Sequence, residues 1–471
     1  MIIGVGITRP PSATGLKFPF SISHRLLRPC RCGPGNEDDR FLNSVLLASP
    51  DDDNLRRMLR QFVESTSQDY AVGTLFRLTS PATSSSNPRL SSLALPLYQV
   101  LTETAWFQWS PRVVTKVIAL LHKQEQHCEA EYLTKETISI LNVRGKSALT
   151  IFYGQLVEEL SKHELRREVL HTCEELRRHL LVGNRPAAWA LLFGYQSMIK
   201  AMHLLGMPYI IEKLMEEMRE LGLKVSAFEH TCLVYGYGKL GLFKEMKRAL
   251  ADMRRDGFAV DRLVTTMVLS SFGAHGQLGE METWLRKMKD ANVKPHMRTF
   301  NTVLNNCPKL RALLQDAMEK DEDLPLSLKE LLDYLGGDER SLVLCLVESS
   351  SLIRQTRIWA NLDLHGMHLT TAYLFMLLWL CELRWICKRH SYKLPSEVKV
   401  VCGKGSHSVV RFKSPLQELV QKMVVQLDLP LRNDSETIGC FVAKGKILKD
   451  WMLSHKGERF DDECFLKESV K

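Results

Sequence analysis

Asp363 and His365 stand two residues apart at the end of a short apolar stretch, Trp359 to Leu364. On an extended strand, residues at that spacing point to one side, so a carboxylate and an imidazole meet at one surface. Such a pair can orient a water or a ribose hydroxyl for attack on phosphate, with the histidine as general base or acid. The plainer alternative is that Asp363 caps a helix starting near Leu369 and His365 packs on it. Further along, Gly403, Lys404 and Gly405 follow a second apolar run, Lys399 to Cys402. Glycines after a buried strand let backbone N–H groups approach an anion, and Lys404 adds positive charge. The run lacks the G-x-x-x-x-G-K-[ST] pattern, which excludes a nucleotide triphosphatase loop. His407 reads as a solvated loop residue. His365 and His368 have no third ligand at metal spacing, so neither a metal site nor a cofactor is expected. A divalent ion held between Asp363 and a substrate phosphate is compatible with the same residues.

These residues need a scaffold, and the text around them alternates between strand and helix. Strands are expected at Trp359–Leu364, Lys399–Cys402 and Cys440–Ala443, and helices at Leu369–His390, Leu416–Leu427 and Leu448–Leu453. That alternation predicts a small α/β sandwich. Before it, Leu324–Leu335 reads as a helix and Asp333–Arg340 as a charged break. The most apolar run, Ala372 to Cys381, ends at Glu382 and Arg384. It is shorter than the ~20 residues a bilayer requires, so it reads as a buried helix and no membrane span is expected.

The preceding region is helical and periodic. Three windows of 35 residues, starting at Leu192, Ala227 and Arg262, place Gly206, Gly241 and Gly276 in one column. Met218, Met253 and Met288 share another, as do Ile211, Met246 and Met281, and Ile199, Val234 and Leu269. Arg219, Arg254 and Lys289 share a further column. Methionine is only 18 of 471 residues, so such agreement in one register is not accidental. Each window holds an apolar helix, a glycine turn, an amphipathic helix and a closing Gly222, Gly257 or Asn292. A helical pair of this kind cannot bury its faces alone, but stacked copies can, which predicts a solenoid.

Windows ending "MRRDGFAVD" and "MKDANVKPH" resemble pentatricopeptide repeats of the P-type. Three repeats are clear, at 192–226, 227–261 and 262–296. A fourth starts at Met297 and degenerates, and a weaker one covers Thr150 to about Pro186 with an insertion near Gly183. Helices from 94 to 148 can be read as decayed repeats or not; the pattern leaves both open. LDLHGMHLTTA followed by VVCGKGSHS resembles a small MutS-related (Smr) domain, marked by a Leu-Asp-x-His turn and a Gly-x-Gly loop. The tail IGCFVAKGKILKDWM is similar to the version fused to plant pentatricopeptide repeats. Cys402 departs from that family, which usually has Thr or His there, and this puts catalysis in doubt more than fold.

The two resemblances imply an α-solenoid of helix-turn-helix repeats followed by a small α/β sandwich. The boundaries are a solenoid over 150–310, a helical linker over 311–355, an Smr-like domain over 356–455 and a tail over 456–471. In the repeat family one base is read per repeat by a few side chains. The reading positions are the fifth residue of the first helix and the last residue of the repeat. Here they fall on Gln196 and Ser226, Thr231 and Asp261, and Thr266 and His296. The Thr231/Asp261 pair resembles the combination that favours guanine; the alternative for each position is a polar helix cap. A good base contact contributes about 1–3 kcal/mol of discrimination, so three repeats give limited selection. Gly403, Lys404 and Gly405 are the expected phosphate contacts, and Asp363 and His365 the expected catalytic pair.

The net charge of +9 first suggests a nucleic-acid partner. Five of its bases, Arg9, Lys17, Arg25, Arg28 and Arg31, lie in residues 1–36, which hold no acid. Setting them aside from 63 Lys+Arg against 54 Asp+Glu leaves only +4. That acid-free, Ser/Thr- and Pro-containing segment reads as an organelle transit peptide, plastid before mitochondrion. Residues 37–149 form a helical N-terminal region with a Ser/Pro-rich linker near 78–93. The 12 cysteines show no C-x-x-C and read as reduced thiols. The expected partner is single-stranded organellar RNA, with other RNA-processing proteins, and the expected state is a monomer. The implied function is transcript processing, stabilisation or translation, with endonuclease activity in the C-terminal domain. A non-catalytic RNA binder and a protein-interaction scaffold stay open beside it.

Overall fold

The computed structural model describes residues 52–183, 185–349, 361–388, 394–403, 414–454 and 459–460, together with Leu42 and Val45. The expected transit peptide, Lys404, Gly405 and His407 lie outside them. The chain divides into two compact units, Met1–Ala130 and Glu131–Lys471.

The first unit contains helices α1 (Asp52–Ser65), α2 (Gln68–Leu78), α3 (Pro81–Ser86), α4 (Pro88–Ser91), α5 (Ala94–Thr102) and α6 (Pro111–Lys123). Helix α7 (His127–Asn142) begins within it. The Ser/Pro-rich stretch 78–93, expected as a linker, is instead helical over α3 and α4. Its turn-forming residues start helices. The Ser80 hydroxyl accepts from Thr83 N–H at 3.2 Å, and Asn87 Oδ1 from Leu90 N–H at 3.1 Å. Pro81 and Pro88 occupy the first turn, where a missing N–H loses no bond.

The second unit opens with helical pairs: α8 (Lys146–Lys162) with α9 (Arg166–Leu181), α10 (Ala188–Leu204) with α11 (Pro208–Glu220), α12 (Ala227–Lys239) with α13 (Phe243–Arg255). Then come α14 (Arg262–Ala274) with α15 (Leu278–Asp290), and α16 (Met297–Asn305) with α17 (Pro308–Glu319). The first helices α8, α10, α12, α14 and α16 pack on one another in succession. The aligned glycines sit at the turn inside each pair, with φ of 68°, 71° and 65° at Gly206, Gly241 and Gly276. There the chain closes a left-handed cap: Met207 N–H donates to Met202 O at 2.9 Å, Leu242 to Tyr237 at 3.0 Å and Gln277 to Phe272 at 2.9 Å.

The same turn recurs without glycine. Glu164 has φ of 61°, and Leu165 N–H donates to Leu160 O at 3.2 Å. Glu125, between α6 and α7, has φ of 62°, and Gln126 N–H donates to Leu121 O at 2.9 Å. A β-carbon there costs about 1–2 kcal/mol, so these turns carry no compositional signature.

The aligned apolar columns are core. Ile199, Val234, Leu269, Ile211, Met246, Met281 and Met218 are fully buried, and Met253 and Met288 nearly so. Polar bonds tie neighbouring helices. Tyr237 Oη donates to Glu212 Oε2 at 2.6 Å and Tyr195 Oη to Glu217 Oε2 at 3.2 Å. Burial pushes both phenols up, so they remain donors.

After the pairs come α18 (Leu328–Leu335) and α19 (Gly337–Ser349), which packs on α15. The charged break expected over Asp333–Arg340 shrinks to Gly336, since helix resumes at Gly337. The C-terminal sheet holds β1 (Asn361–Asp363), β2 (Glu397–Val401), β3 (Arg432–Asn433) and β4 (Cys440–Lys444) in the order β1-β2-β4-β3. Strands β1 and β2 are parallel, and the other pairings antiparallel. Helices α20 (Leu369–Lys388), α21 (Pro415–Leu427) and α22 (Gly445–Leu453) accompany it. By length and composition α20 could cross a membrane, but 72% of its apolar window is buried inside the protein, which makes it the core helix of this unit.

Four histidines give the fold a pH dependence of definite sign. Burial holds His179, His203, His296 and His368 below the ordinary imidazole value of 6.5. The unfolded chain therefore binds more protons, and stability is full above that value and falls as pH drops from it towards the folded values. The melting temperature should hold steady down to about pH 7 and fall between about pH 6.5 and 5, before ordinary carboxylates titrate. A melting temperature that is level or rising across that interval would contradict the burial of these rings.

Candidate nucleic-acid interface

The repeat positions singled out above are bound into the local structure. Ser226 caps α12: its hydroxyl accepts from Phe228 N–H at 3.2 Å. The fully buried Glu229 carboxylate accepts from Ser226 N–H at 2.7 Å and Ser226 Oγ at 2.5 Å. It also accepts from Gln196 Nε2 at 2.9 Å, so Glu229 joins the two members of the first pair. Asp261 caps α14 by accepting from Val264 N–H at 2.9 Å. His296 precedes α16 with Nδ1 2.8 Å from Thr299 Oγ1, and burial lowers its ring, which is neutral at pH 7. Thr231 and Thr266 each donate to the carbonyl four residues back, Ala227 and Arg262, at 2.7 Å. All three repeat-closing residues thus precede a helix, and Ser226 and Asp261 accept a backbone N–H of its first turn. Asp261 remains exposed, and Thr231 and Thr266 half-buried. Glu229 was missed, although Ser226-x-x-Glu229 is a capping box legible in the sequence.

The C-terminal residues meet where β1 and β2 end. Asp363 pairs with Val401 in the parallel register, and Leu364 N–H donates to Val401 O at 2.8 Å. Asp363 and His365 are both exposed. The Asp363 carboxylate neither meets the imidazole nor caps α20. Its Oδ1 accepts the His365 backbone N–H at 2.9 Å, because a short acidic side chain reaches the N–H two residues on. His365 lies against Gly403: a β-carbon on Gly403, where φ is 82°, would come 3.2 Å from His365 Cδ2. The sheet therefore brings the D-x-H turn and the first glycine of the loop together, while Lys404 and Gly405 lie outside the described residues. Gln417 Nε2 donates to Gly403 O at 3.0 Å, and Cys402 N–H to Gly439 O at 2.8 Å.

Cys402 supplies neither a hydroxyl nor an imidazole at this position. It is buried, and burial, aided by Cys440 and Asp363, pushes its thiol up to about 12. It stays protonated and faces the interior. His368 is engaged by the solenoid: its backbone N–H donates to Asn301 Oδ1 at 3.0 Å, and its Nδ1 meets the Asn305 amide. Asn301, Asn305, Gln417 and Gly439 were not legible, because each acts across a long sequence separation.

The model for the pentatricopeptide repeat domain matches residues 248–309, and that for the PPR repeat matches 230–258. The Arabidopsis thaliana protein "Pentatricopeptide repeat-containing protein At2g17033" is 38% identical over 421 residues, covering 88% of this chain and 81% of its own length. "Pentatricopeptide repeat-containing protein At5g48730, chloroplastic", from the same plant, is 25% identical over 215 residues, covering 43% and 38%. Among solved structures, the crystal structure of the pentatricopeptide repeat protein PPR10 from maize matches with a TM-score of 0.40 at 16% identity. That match covers 82% of this chain, which spans half of the maize protein's structure. PPR10 in complex with an 18-nt psaJ RNA element matches with a TM-score of 0.34, covering 58% and 43%. On the long match to the first Arabidopsis relative, whose length it largely spans, the chain belongs to the pentatricopeptide repeat family.

Proposed function

We propose that this chain is an organellar RNA-binding protein acting in transcript processing, stabilisation or translation. Its array is of the P-type, and its C-terminal α/β unit is an Smr domain with endonuclease chemistry at Asp363 and His365. One observation carries the RNA reading: first helices stacked in a 35-residue register present Thr231 at the fifth position and exposed Asp261 at the close of the same repeat. Gln196 with Ser226 and Thr266 with His296 occupy the flanking pairs. The nuclease reading is supported by His365, exposed beside Gly403, with Lys404 and Gly405 next in the sequence. The partner is single-stranded RNA, bound by a monomer working with other processing proteins. The chloroplast assignment is supported by the acid-free segment 1–36 and by a relative whose name is chloroplastic. A second reading, a phosphate-holding domain without catalysis, is favoured by the Asp363 carboxylate being spent on the His365 N–H.

Selection of RNA from a random pool by the full chain tests both. Asp261→Asn keeps the cap but replaces an acceptor with a donor. It should abolish preference at one RNA position, with a loss of about 1–3 kcal/mol there. Preference unchanged by Asp261→Asn and Thr231→Val together would overturn base reading by this repeat. In the same assay, Asp363→Asn and His365→Ala should each slow cleavage at least about 100-fold. Cleavage at equal rates by wild type and variants removes the nuclease reading, and binding without cleavage leaves the second one.

A further inference from the structure

The window that starts at Met297 is a repeat whose reading position does something else. Its fifth residue is Asn301, in the column of Gln196, Thr231 and Thr266, and α16 packs on α14 as α14 packs on α12. The Asn301 amide is engaged at both ends by one turn of the C-terminal unit. Nδ2 donates to Gly366 O at 3.2 Å, and Oδ1 accepts from His368 N–H at 3.0 Å. Only a side chain with donor and acceptor on one short plane can do this. Asn305, one helical turn on and on the same face, accepts from Thr370 Oγ1 at 2.7 Å and contacts the His368 ring. Phe300 packs edge-on against Phe375 with ring centroids 5.1 Å apart. Burial keeps His368 below the ordinary imidazole value, in keeping with an Nδ1 that accepts from the Asn305 amide.

We infer that Asn301 is a positioning residue that clamps the Leu364–His368 turn across the fourth reading position. Base reading then ends with the 262–296 repeat, and the backbone of the flanking nucleotide meets Asp363, His365 and Gly403 where a fourth base would be read. The fourth window degenerates in sequence because its face is an intramolecular docking site. The C-terminal edge is thereby held at a fixed distance from the bases selected by the array. This rests on the RNA reading proposed above and adds to it a register between the two parts.

The test uses the full chain and an RNA selected by the wild type from a random pool. Base preference at each position, nuclease footprint and salt dependence are read for wild type, Asn301→Ala and His365→Ala. For wild type, a protected flank without base preference should adjoin the last preferred base. Asn301→Ala should lose that flank and reduce the salt slope by about 0.7 for each phosphate that is no longer neutralised, with array preferences unchanged. His365→Ala, at an exposed ring that leaves the clamp intact, should lose flank protection in the same way. A fourth base preference that changes when Asn301 is replaced would show that Asn301 reads RNA, and would overturn the inference. So would an unaltered footprint and slope in both variants. If the wild type selects no RNA at all, the reading of the array fails first, and that result is distinct from both.

Discussion

Replacing Gly439 with alanine should destabilise the C-terminal α/β unit by about 2–5 kcal/mol. Two effects add. Gly439 has φ of 84°, where a β-carbon costs about 1–2 kcal/mol. That β-carbon would also lie 2.4 Å from Gly403 O and 2.7 Å from Gly403 C, with Gln417 Nε2 at 2.8 Å. Two of these neighbours are backbone and cannot rotate away. Gly439 O is meanwhile held by Cys402 N–H, so the strand cannot swing out without losing a buried bond. Overpacking of this kind adds about 1–3 kcal/mol. Urea unfolding followed by the fluorescence of Trp379 and Trp451, both in this unit, measures the loss. A change below about 1 kcal/mol would mean that the Gly403 loop yields freely, and the site geometry described above would need revision.

The second large effect belongs to Gly238, on α12. A β-carbon there would come 2.2 Å from Ser271 Oγ, 2.8 Å from Ser271 Cβ and 2.9 Å from Met246 Sδ. This glycine sets how closely α12 approaches α14. Gly238→Leu should cost about 3 kcal/mol or more, because the helices must separate or their side chains leave good rotamers. Gly238→Ala should cost about 1–3 kcal/mol, since Met246 can move but Ser271 Cβ is fixed to its helix. A useful comparison is Gly276→Ala. Nothing lies within 4 Å of its β-carbon position, so only its left-handed backbone resists, at about 1–2 kcal/mol. Thermal melts of the three variants should rank Gly238→Leu as the most damaging. If Gly276→Ala were the worst, turn geometry rather than helix approach would limit the solenoid. Gly238→Leu should also weaken RNA binding, because it shifts Thr231 on α12 relative to Thr266 on α14.

These two glycines mark the boundary of what the residue order reveals. Gly206, Gly241 and Gly276 recur in register, and their task is local: a left-handed residue ending a helix. Their columns of buried Ile, Val, Leu and Met follow from the same 35-residue period, because burial repeats when the supersecondary unit repeats. The α/β order after residue 356 was legible for a similar reason, since apolar runs of different length separate β2 and β4 from α20 and α21. Gly238 and Gly439 are equally plain in the text, but they are required by neighbours far along the chain. Nothing in their local sequence distinguishes them from tolerated glycines.

The other differences have the same origin. Turns at Glu125 and Glu164 adopt the repeat geometry without the residue that advertises it, and at Glu164 the packing of the two helices it joins holds the turn. Segment 78–93 has linker composition, yet Ser80 and Asn87 find N–H partners and Pro81 and Pro88 find first turns. Asp363 and His365 were identified by spacing, and the sheet sets Asp363 opposite Val401 and His365 against Gly403. Which atoms they contact was decided by the turn, where the backbone N–H of His365 outcompetes its ring for the carboxylate. The residue order is enough to read the family, the period and the strand–helix order, because these rest on contacts that repeat or lie close in the chain. That Asn301 holds the C-terminal turn is visible only once the chain is folded. Its role depends on two surfaces more than sixty residues apart meeting through hydrogen bonds that no local pattern encodes.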